Sequence, residues 1–235
     1  MVAARRLLAF DCAGAACSAA YWQDGAVRAK RHEIMARGQA ERLVPMIEEV
    51  MAEAGADYAA LEAIAVTCGP GGFTGLRIGL ATARGLALAS GRPLIGVSNF
   101  EVVAAAVPDA ERQGRTLAVL IDAKRADLYV QAFGADGTAL CEPGAVQPAA
   151  LEHLLPPGPL LLAGDAVAQA EPALRAAGRE LRLSAAPGHA DATVLAAVAA
   201  ADDARALPAV RPIYLRPPDV SQPKAERTRG GGPAS

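Results

Sequence analysis

The chain is poor in aromatic side chains, which make up 4% of its 235 residues, although 52% are hydrophobic. A chain of this length can bury a substantial core, and that core must be built from Ala, Val, Leu and Ile. It also lacks an excess of positive charge: the net charge is -2, so no global field draws it toward nucleic acid. Basic side chains do gather at Arg28/Lys30/Arg31 and at Lys124/Arg125, short clusters that read as solvated surface. The four cysteines, Cys12, Cys17, Cys68 and Cys141, form no CxxC pair and stand at no zinc-ligand spacing from a histidine. They are expected to be buried, reduced thiols. His32, His153 and His189 lie far apart in sequence, each beside a predicted loop, and read as lone surface residues. No run is long and apolar enough to cross a bilayer. Arg5-Arg6 before Leu7-Leu8-Ala9-Phe10 imitates a signal peptide, but Asp11 ends the apolar run after four residues, short of the roughly seven an export signal needs. The expectation is a soluble, cytoplasmic protein with no membrane contact.

What the chain has in abundance is glycine in one place, the segment Gly69-Pro70-Gly71-Gly72-Phe73-Thr74-Gly75 after an apolar strand. Glycine costs backbone entropy and is kept where a chain must turn sharply or let another group approach. A P-loop is excluded, because Leu76 and Arg77 follow Gly75 where Lys and Ser/Thr would be needed. The dinucleotide fingerprint fails as well, with Thr74 in place of its last glycine. Two readings stay open: an anion site at a helix N-terminus, or a tight turn serving packing alone. From Thr74, a predicted N-cap, to Gly91, a predicted C-terminal stop, the chain reads as one helix. Gly75, Gly79 and Ala83 fall on one side of it at i, i+4, i+8 and form a flat groove for a closely packed neighbour.

A weak internal repeat sets the architecture. Leu7-Leu8-Ala9-Phe10-Asp11, a strand from Cys17 to Gln23, an Asp24-Gly25 turn and a strand from Ala26 to Glu33 are matched by Leu117 to Asp122, Asp127 to Phe133, an Asp136-Gly137 turn and Thr138 to Glu142. Each set is followed by alternating helices and strands. In the first half these are a helix Gln39 to Ala54, a strand Leu61 to Thr67, the small-residue helix, a strand Pro93 to Val97 and a helix Asn99 to Ala106. The second half reads more loosely, as a helix Ala149 to Leu155, a strand Leu160 to Ala163, a helix Asp165 to Ala177, a strand Leu181 to Ser184 and a helix Asp191 to Ala204. The pattern predicts an α/β fold of two β-β-β-α-β-α halves with mixed, covered sheets, the second half reduced. The predicted domains are 1–108 and 109–220, with a disordered polar, glycine-rich tail at 221–235.

The duplicated fold, with an Asp closing the first strand of each half, resembles the ribonuclease-H-like actin/Hsp70/sugar-kinase superfamily. Within it, the run from Val66 through Gly69-Pro70-Gly71-Gly72-Phe73-Thr74-Gly75 to Ala81 is similar to the signature of the TsaB (YeaZ) family. Leu43-Val44-Pro45-Met46-Ile47, Ile121-Asp122-Ala123-Lys124-Arg125 and Pro212-Ile213-Tyr214-Leu215-Arg216 agree with that family too. The resemblance implies a noncatalytic part in threonylcarbamoylation of N6 of tRNA adenosine 37. The chain would bind a TsaD-like catalytic subunit together with a TsaE-like ATPase, form a homodimer when alone, and reach tRNA through the complex. ATP and metal would then belong to the partners, and this chain would bind no cofactor. In agreement, the loop Asp122-Ala123-Lys124-Arg125-Ala126-Asp127 has no glycine, whereas a nucleotide site in this superfamily brings backbone amides to phosphate there. The His-x-x-x-His pair of TsaD-like proteins is also missing. The family's frequent histidine near the start of the first helix is replaced by Arg37-Gly38-Gln39-Ala40-Glu41. Two rivals remain open, an ATP-dependent small-molecule kinase of the same fold and a metallopeptidase-like protein; for the first, Asp11 and Asp122 stand where metal and phosphate ligands would be. The expectation for the two aspartates is a degenerate nucleotide site with structural turn roles. The partner interface is expected on two helices: the first, whose two apolar stripes Leu43/Met46/Ile47/Val50 and Val44/Met51 are wider than one core-facing stripe needs, and the small-residue helix through Gly75, Gly79, Thr82, Ala83 and Leu86.

Overall fold

The computed structural model describes residues 6–202, 206–207 and 209–216. The tail expected to be disordered, 221–235, lies outside them. The first half runs β1 (Arg6–Asp11), β2 (Ala16–Gln23), β3 (Ala26–Ile34), α1 (Gln39–Glu53), β4 (Ala63–Thr67), α2 (Phe73–Ser90), β5 (Leu94–Val97), α3 (Asn99–Ala106) and a single turn α4 (Asp109–Arg112). The second runs β6 (Thr116–Asp122), β7 (Leu128–Phe133), β8 (Gly144–Val146), α5 (Leu151–Leu154), β9 (Leu160–Ala163), α6 (Val167–Ala176), β10 (Leu181–Leu183), α7 (Ala192–Ala201) and β11 (Ala206–Leu207). Two mixed sheets result, with strand orders β11-β5-β4-β1-β2-β3 and β10-β9-β6-β7-β8. In each, the first strand of the half pairs antiparallel with its hairpin partner on one side and parallel with a later strand on the other.

Strand alternation assigns the layers. Leu8 and Phe10 of β1 face α1 and α2, packing with Leu43, Met46, Leu76 and Leu80. Leu7 and Ala9 face the other way, onto Leu195, Ala196 and Ala199 of α7. In the second sheet Ala118 and Leu120 meet Leu151 of α5 and Leu174 of α6. Leu117 and Val119 meet Phe100 and Val103 of α3. The halves therefore exchange their last helices, α3 lying on the second sheet and α7 on the first, and β11 extends the first sheet by pairing antiparallel with β5. Neither inner sheet face is covered by its own half alone.

Several elements depart from the sequence expectation for identifiable reasons. The N-cap expected at Thr74 falls two residues earlier, at Gly72, which is extended and makes no side-chain capping bond. At its other end Gly91 takes the left-handed conformation (φ 68°) as expected. The strand expected at Thr138 to Glu142 is reduced to an isolated bridge at Ala139. The third strand of the second half comes later, at Gly144–Val146, because Gly134, Asp136 and Thr138 close a local turn of their own hydrogen bonds. The Asp24-Gly25 turn has both residues at positive φ (51° and 82°), as a tight two-residue hairpin requires.

Candidate functional site

The glycine segment folds down onto the loop that follows β1. Gly72 N donates to the Ala13 carbonyl at 2.6 Å, and the Cys12 thiol donates to the Gly75 carbonyl at 3.2 Å. A Cβ on Gly71 would overlap the carbonyl oxygen of Ala13, and one on Gly75 that of Cys12. Of the two readings the sequence left open, the contacts present are those of packing: these glycines admit the chain's own backbone.

Beside them Asp11, 1% exposed, is enclosed by the first half. Its Oδ1 accepts from the Thr67 hydroxyl, from Ala13 N at 3.2 Å and from Asn99 Nδ2 at 3.3 Å. Oδ2 is buried with no hydrogen-bond partner. Asn99 is held in turn by Gly69, whose amide donates to Asn99 Oδ1 at 3.0 Å and whose carbonyl accepts from Asn99 N at 2.8 Å. Burial pushes the Asp11 carboxyl above its usual value, and the hydrogen bonds from Thr67, Ala13 and Asn99 only partly oppose that. Asp11 joins β1, β4 and the start of α3 from inside.

Asp122 is engaged in a different way. Its Oδ1 accepts from Lys124 N at 2.6 Å and its Oδ2 from Lys124 Nζ at 2.9 Å, holding Lys124 in a left-handed conformation (φ 58°) that a non-glycine residue seldom adopts. Burial alone would raise its pKa, but the bonds from Lys124 outweigh it and hold the carboxyl low. Between the loop after β1 and Asp122 lies a cavity of about 50 Å³, lined by Ala13, Gly71, Asn99, Asp165 and His189 among others and not by Asp11. Ligand pockets are roughly 300–1,000 Å³, so a nucleotide does not fit in this space as it stands. Among the described residues no three His, Cys, Asp or Glu side chains are grouped to hold a metal.

The expected interface residues are corrected by their burial. Leu43, Met46, Ile47, Val50 and Met51 are 0–2% exposed and Ala83 is 0% exposed, all within the first core. Gly75 and Gly79 face Cys12, so the small-residue groove is filled from within. The reason lies on the sheet: Cys17, Ala19 and Ala29 present small side chains to the helices, and α1 sinks far enough to cover its first stripe and Met51 of the second, leaving Val44 outside. Thr82 and Leu86 remain half-buried, and the exposed apolar groups nearby are Leu88 (88%) on α2 and Val44 (46%) on α1. The lone-histidine reading is corrected too. His32 Nδ1 pairs with Asp191 Oδ2 at 3.0 Å, and its Nε2 meets His189 Nε2 at 3.1 Å. Residues 157 apart in sequence gave no signal of this. Arg31, in a cluster read as solvated, is paired with Glu49 and Glu53 of α1. Cys12, Cys17 and Cys68 are buried, and among the described residues no cysteine is in a disulfide. Among the described residues no helix is long and apolar enough to cross a membrane.

Fold and site together define a duplicated α/β protein, each half three strands followed by alternating helices and strands, whose glycine turn is packed on the chain's own backbone. A family model described as "TsaD: tRNA N6-adenosine threonylcarbamoyltransferase" matches residues 31–210. The chain belongs to that family and, within it, to the TsaB (YeaZ) group. It is 40% identical over 124 residues to the tRNA threonylcarbamoyladenosine biosynthesis protein TsaB of Escherichia coli, covering 53% of each chain. An uncharacterized protein of Mycobacterium tuberculosis is 35% identical over 162 residues, 68% of this chain and 72% of that one. The solved structure of YeaZ from Pseudomonas aeruginosa superimposes with a TM-score of 0.71 at 27% identity, covering 90% of this chain and all of that one. The sequence match spans about half the length of the E. coli relative.

Proposed function

We propose that this chain is the noncatalytic scaffold and activator subunit in threonylcarbamoylation of N6 of tRNA adenosine 37. On this reading it binds a TsaD-like catalytic subunit and activates it together with a TsaE-like ATPase in the cytoplasm, while ATP and metal are held by those partners and tRNA is met within the complex. The observation that carries the reading is the closed cleft: where the fold offers room for a nucleotide, Gly71 and Gly75 rest on the carbonyls of residues 12 and 13 and about 50 Å³ remains. The likeness to proteins named for threonylcarbamoyladenosine biosynthesis supports the pathway. With the α1 core residues withdrawn from contact, the surface offered to a partner is the outer edge of α1 and α2, carrying Val44, Thr82 and Leu86. The same edge serves self-association when the partner is absent.

Reconstitution tests this. The chain is combined with TsaD-like and TsaE-like proteins of the same organism, tRNA, ATP and the threonylcarbamoyl donor, and modified adenosine is measured by mass spectrometry of digested tRNA. Product is expected only when all three proteins are present, and Val44→Asp should reduce both product and partner capture. Robust ATP turnover by the isolated chain, or full modification in its absence, would overturn the proposal.

A further inference from the structure

A second, larger cleft lies on the other side of the glycine turn, with a volume of about 480 Å³. Three segments distant in sequence form it: the start of α2, the β6–β7 connection and residues 212–216. Ile213 N donates to the Cys68 carbonyl at 2.7 Å, fastening the last of these segments against the turn. Three of the chain's nine aromatic residues, four Phe, four Tyr and one Trp, line this cleft as Phe73, Tyr129 and Tyr214. Such a concentration in an aromatic-poor chain is not dictated by the core, because Phe73 and Tyr214 remain 45% and 46% exposed. Four cations share the walls, Arg77, Lys124, Arg125 and Arg216. Set against them are the carboxylates of Asp122, on Lys124, and Asp127, on Arg216. The residues lining the cleft thus include four cations and no carboxylate, in a chain whose net charge is -2.

Its side chains are already ordered for stacking. The Arg77 guanidinium lies 3.6 Å from the Phe73 ring centroid and donates from Nε to the Tyr214 hydroxyl at 3.2 Å. The Phe73 and Tyr214 rings are 5.7 Å apart. A planar guanidinium and an exposed phenol beside it are surfaces on which an unstacked base settles, while neighbouring cations meet its phosphate. We propose that this cleft binds a nucleoside phosphate, a base stacked on the Arg77–Tyr214 platform with its phosphate toward Lys124 and Arg125. This chemistry has two sources, an unpaired nucleotide of an RNA loop or a free mononucleotide. The inference stands apart from partner activation, because this chain alone would bind.

The test uses the full chain with three probes: a labelled RNA stem-loop with an unpaired adenosine-containing loop, fully paired RNA of the same composition, and AMP. The stem-loop is expected to bind at least tenfold more tightly than the duplex. Tyr214→Ala and Arg77→Ala should each weaken it about tenfold with an unchanged melting temperature. Tyr214→Phe, which keeps the ring, should retain binding, and Lys30→Ala, on β3, should change nothing. Arg125→Ala should lower the salt dependence of binding by about one phosphate contact. AMP displacing the stem-loop at comparable concentration assigns the free mononucleotide as occupant; stem-loop binding without AMP binding assigns RNA. Equal binding of stem-loop and duplex, no binding of any probe, or folded Tyr214→Ala and Arg77→Ala proteins that bind normally would overturn the proposal.

Discussion

Asp11 offers the sharpest test of whether the first-half aspartate is a catalytic group or a structural one. Three donors converge on its Oδ1 while Oδ2 is buried and unpartnered. Burial dominates and raises its pKa above the usual 3.8. A carboxyl whose folded-state pKa is raised stabilises the fold fully only below its unfolded pKa, and that stability is lost as pH rises through the folded value. At neutral pH the charge is thus a cost, of about 1.4 kcal/mol for every unit by which the pKa is raised. Asp11→Asn removes the charge and keeps an oxygen for the three donors. It is expected to be at least as stable as the parent at pH 7, with its advantage growing from pH 4 upward. Asp11→Ala instead strands the Thr67, Ala13 and Asn99 donors at about 1–3 kcal/mol for each left unsatisfied, and should fall by several degrees, at roughly 2–4 °C per kcal/mol for a chain of this size. Thermal unfolding followed by circular dichroism from pH 4 to 8 gives both numbers, and the reconstituted tRNA modification assay gives the functional one. Asp11→Asn should retain activation. If it abolishes activation while melting like the parent, Asp11 is a reacting or metal-holding group and the structural account is wrong.

Three further outcomes follow from burial and pairing. Ala83→Arg and Met51→Glu, at positions 0% and 2% exposed, should each unfold the chain or cost about 3 kcal/mol or more by burying an unpaired charge; a folded monomer that merely loses its partner would return these residues to the interface. Leu88→Asp, by contrast, should change chain stability by no more than about 0.5 kcal/mol in urea titration. The His32–His189 contact should weaken in acid: burial and the neighbouring His32 hold His189 below its usual 6.5, so its stabilising neutral form is lost as pH falls through the lowered value. The melting temperature should drop between pH 7 and 5, and His189→Gln should flatten that drop; an unchanged pH profile in the variant would show the pair contributes nothing.

What the sequence disclosed followed from local rules. The strand-ending aspartates and the two Asp-Gly turns were legible because turn chemistry is written within a few residues. The limits of α3 were legible as well, although its capping box between Ser98 and Glu101 went unread despite the Ser-x-x-Glu spacing. The exchange of α3 and α7 was not legible, since an apolar helix does not state which sheet it will cover. The width of the apolar surface on α1 pointed to a partner because the depth of its seat was unknown. That depth is set by Cys17, Ala19 and Ala29 on neighbouring strands, and no pattern within the helix encodes it. Lys124 and Arg125 looked like ordinary surface for a related reason: only the fold brings Arg77 and Tyr214 beside them.

The two kinds of glycine in α2 now separate, and the separation gives a final prediction. Gly75 returns its entropic cost inside the chain, because a Cβ there would meet the Cys12 carbonyl; Gly75→Ala should destabilise by about 1–3 kcal/mol through overpacking. Gly85 has nothing within 4 Å of where its Cβ would lie and is exposed on the helix, yet it costs about 1 kcal/mol relative to alanine in a helix interior. Gly85→Ala should therefore stabilise the isolated chain by roughly that amount, read as a rise of about 2–4 °C in melting temperature. Within the chain nothing offsets the glycine, so any compensation must come from a surface that approaches α2 from outside. The same variant should then bind the TsaD-like subunit or a second copy more weakly, measured by calorimetry against the parent. A stabilised chain with undiminished partner affinity would place the contact elsewhere and remove α2 from the proposed edge.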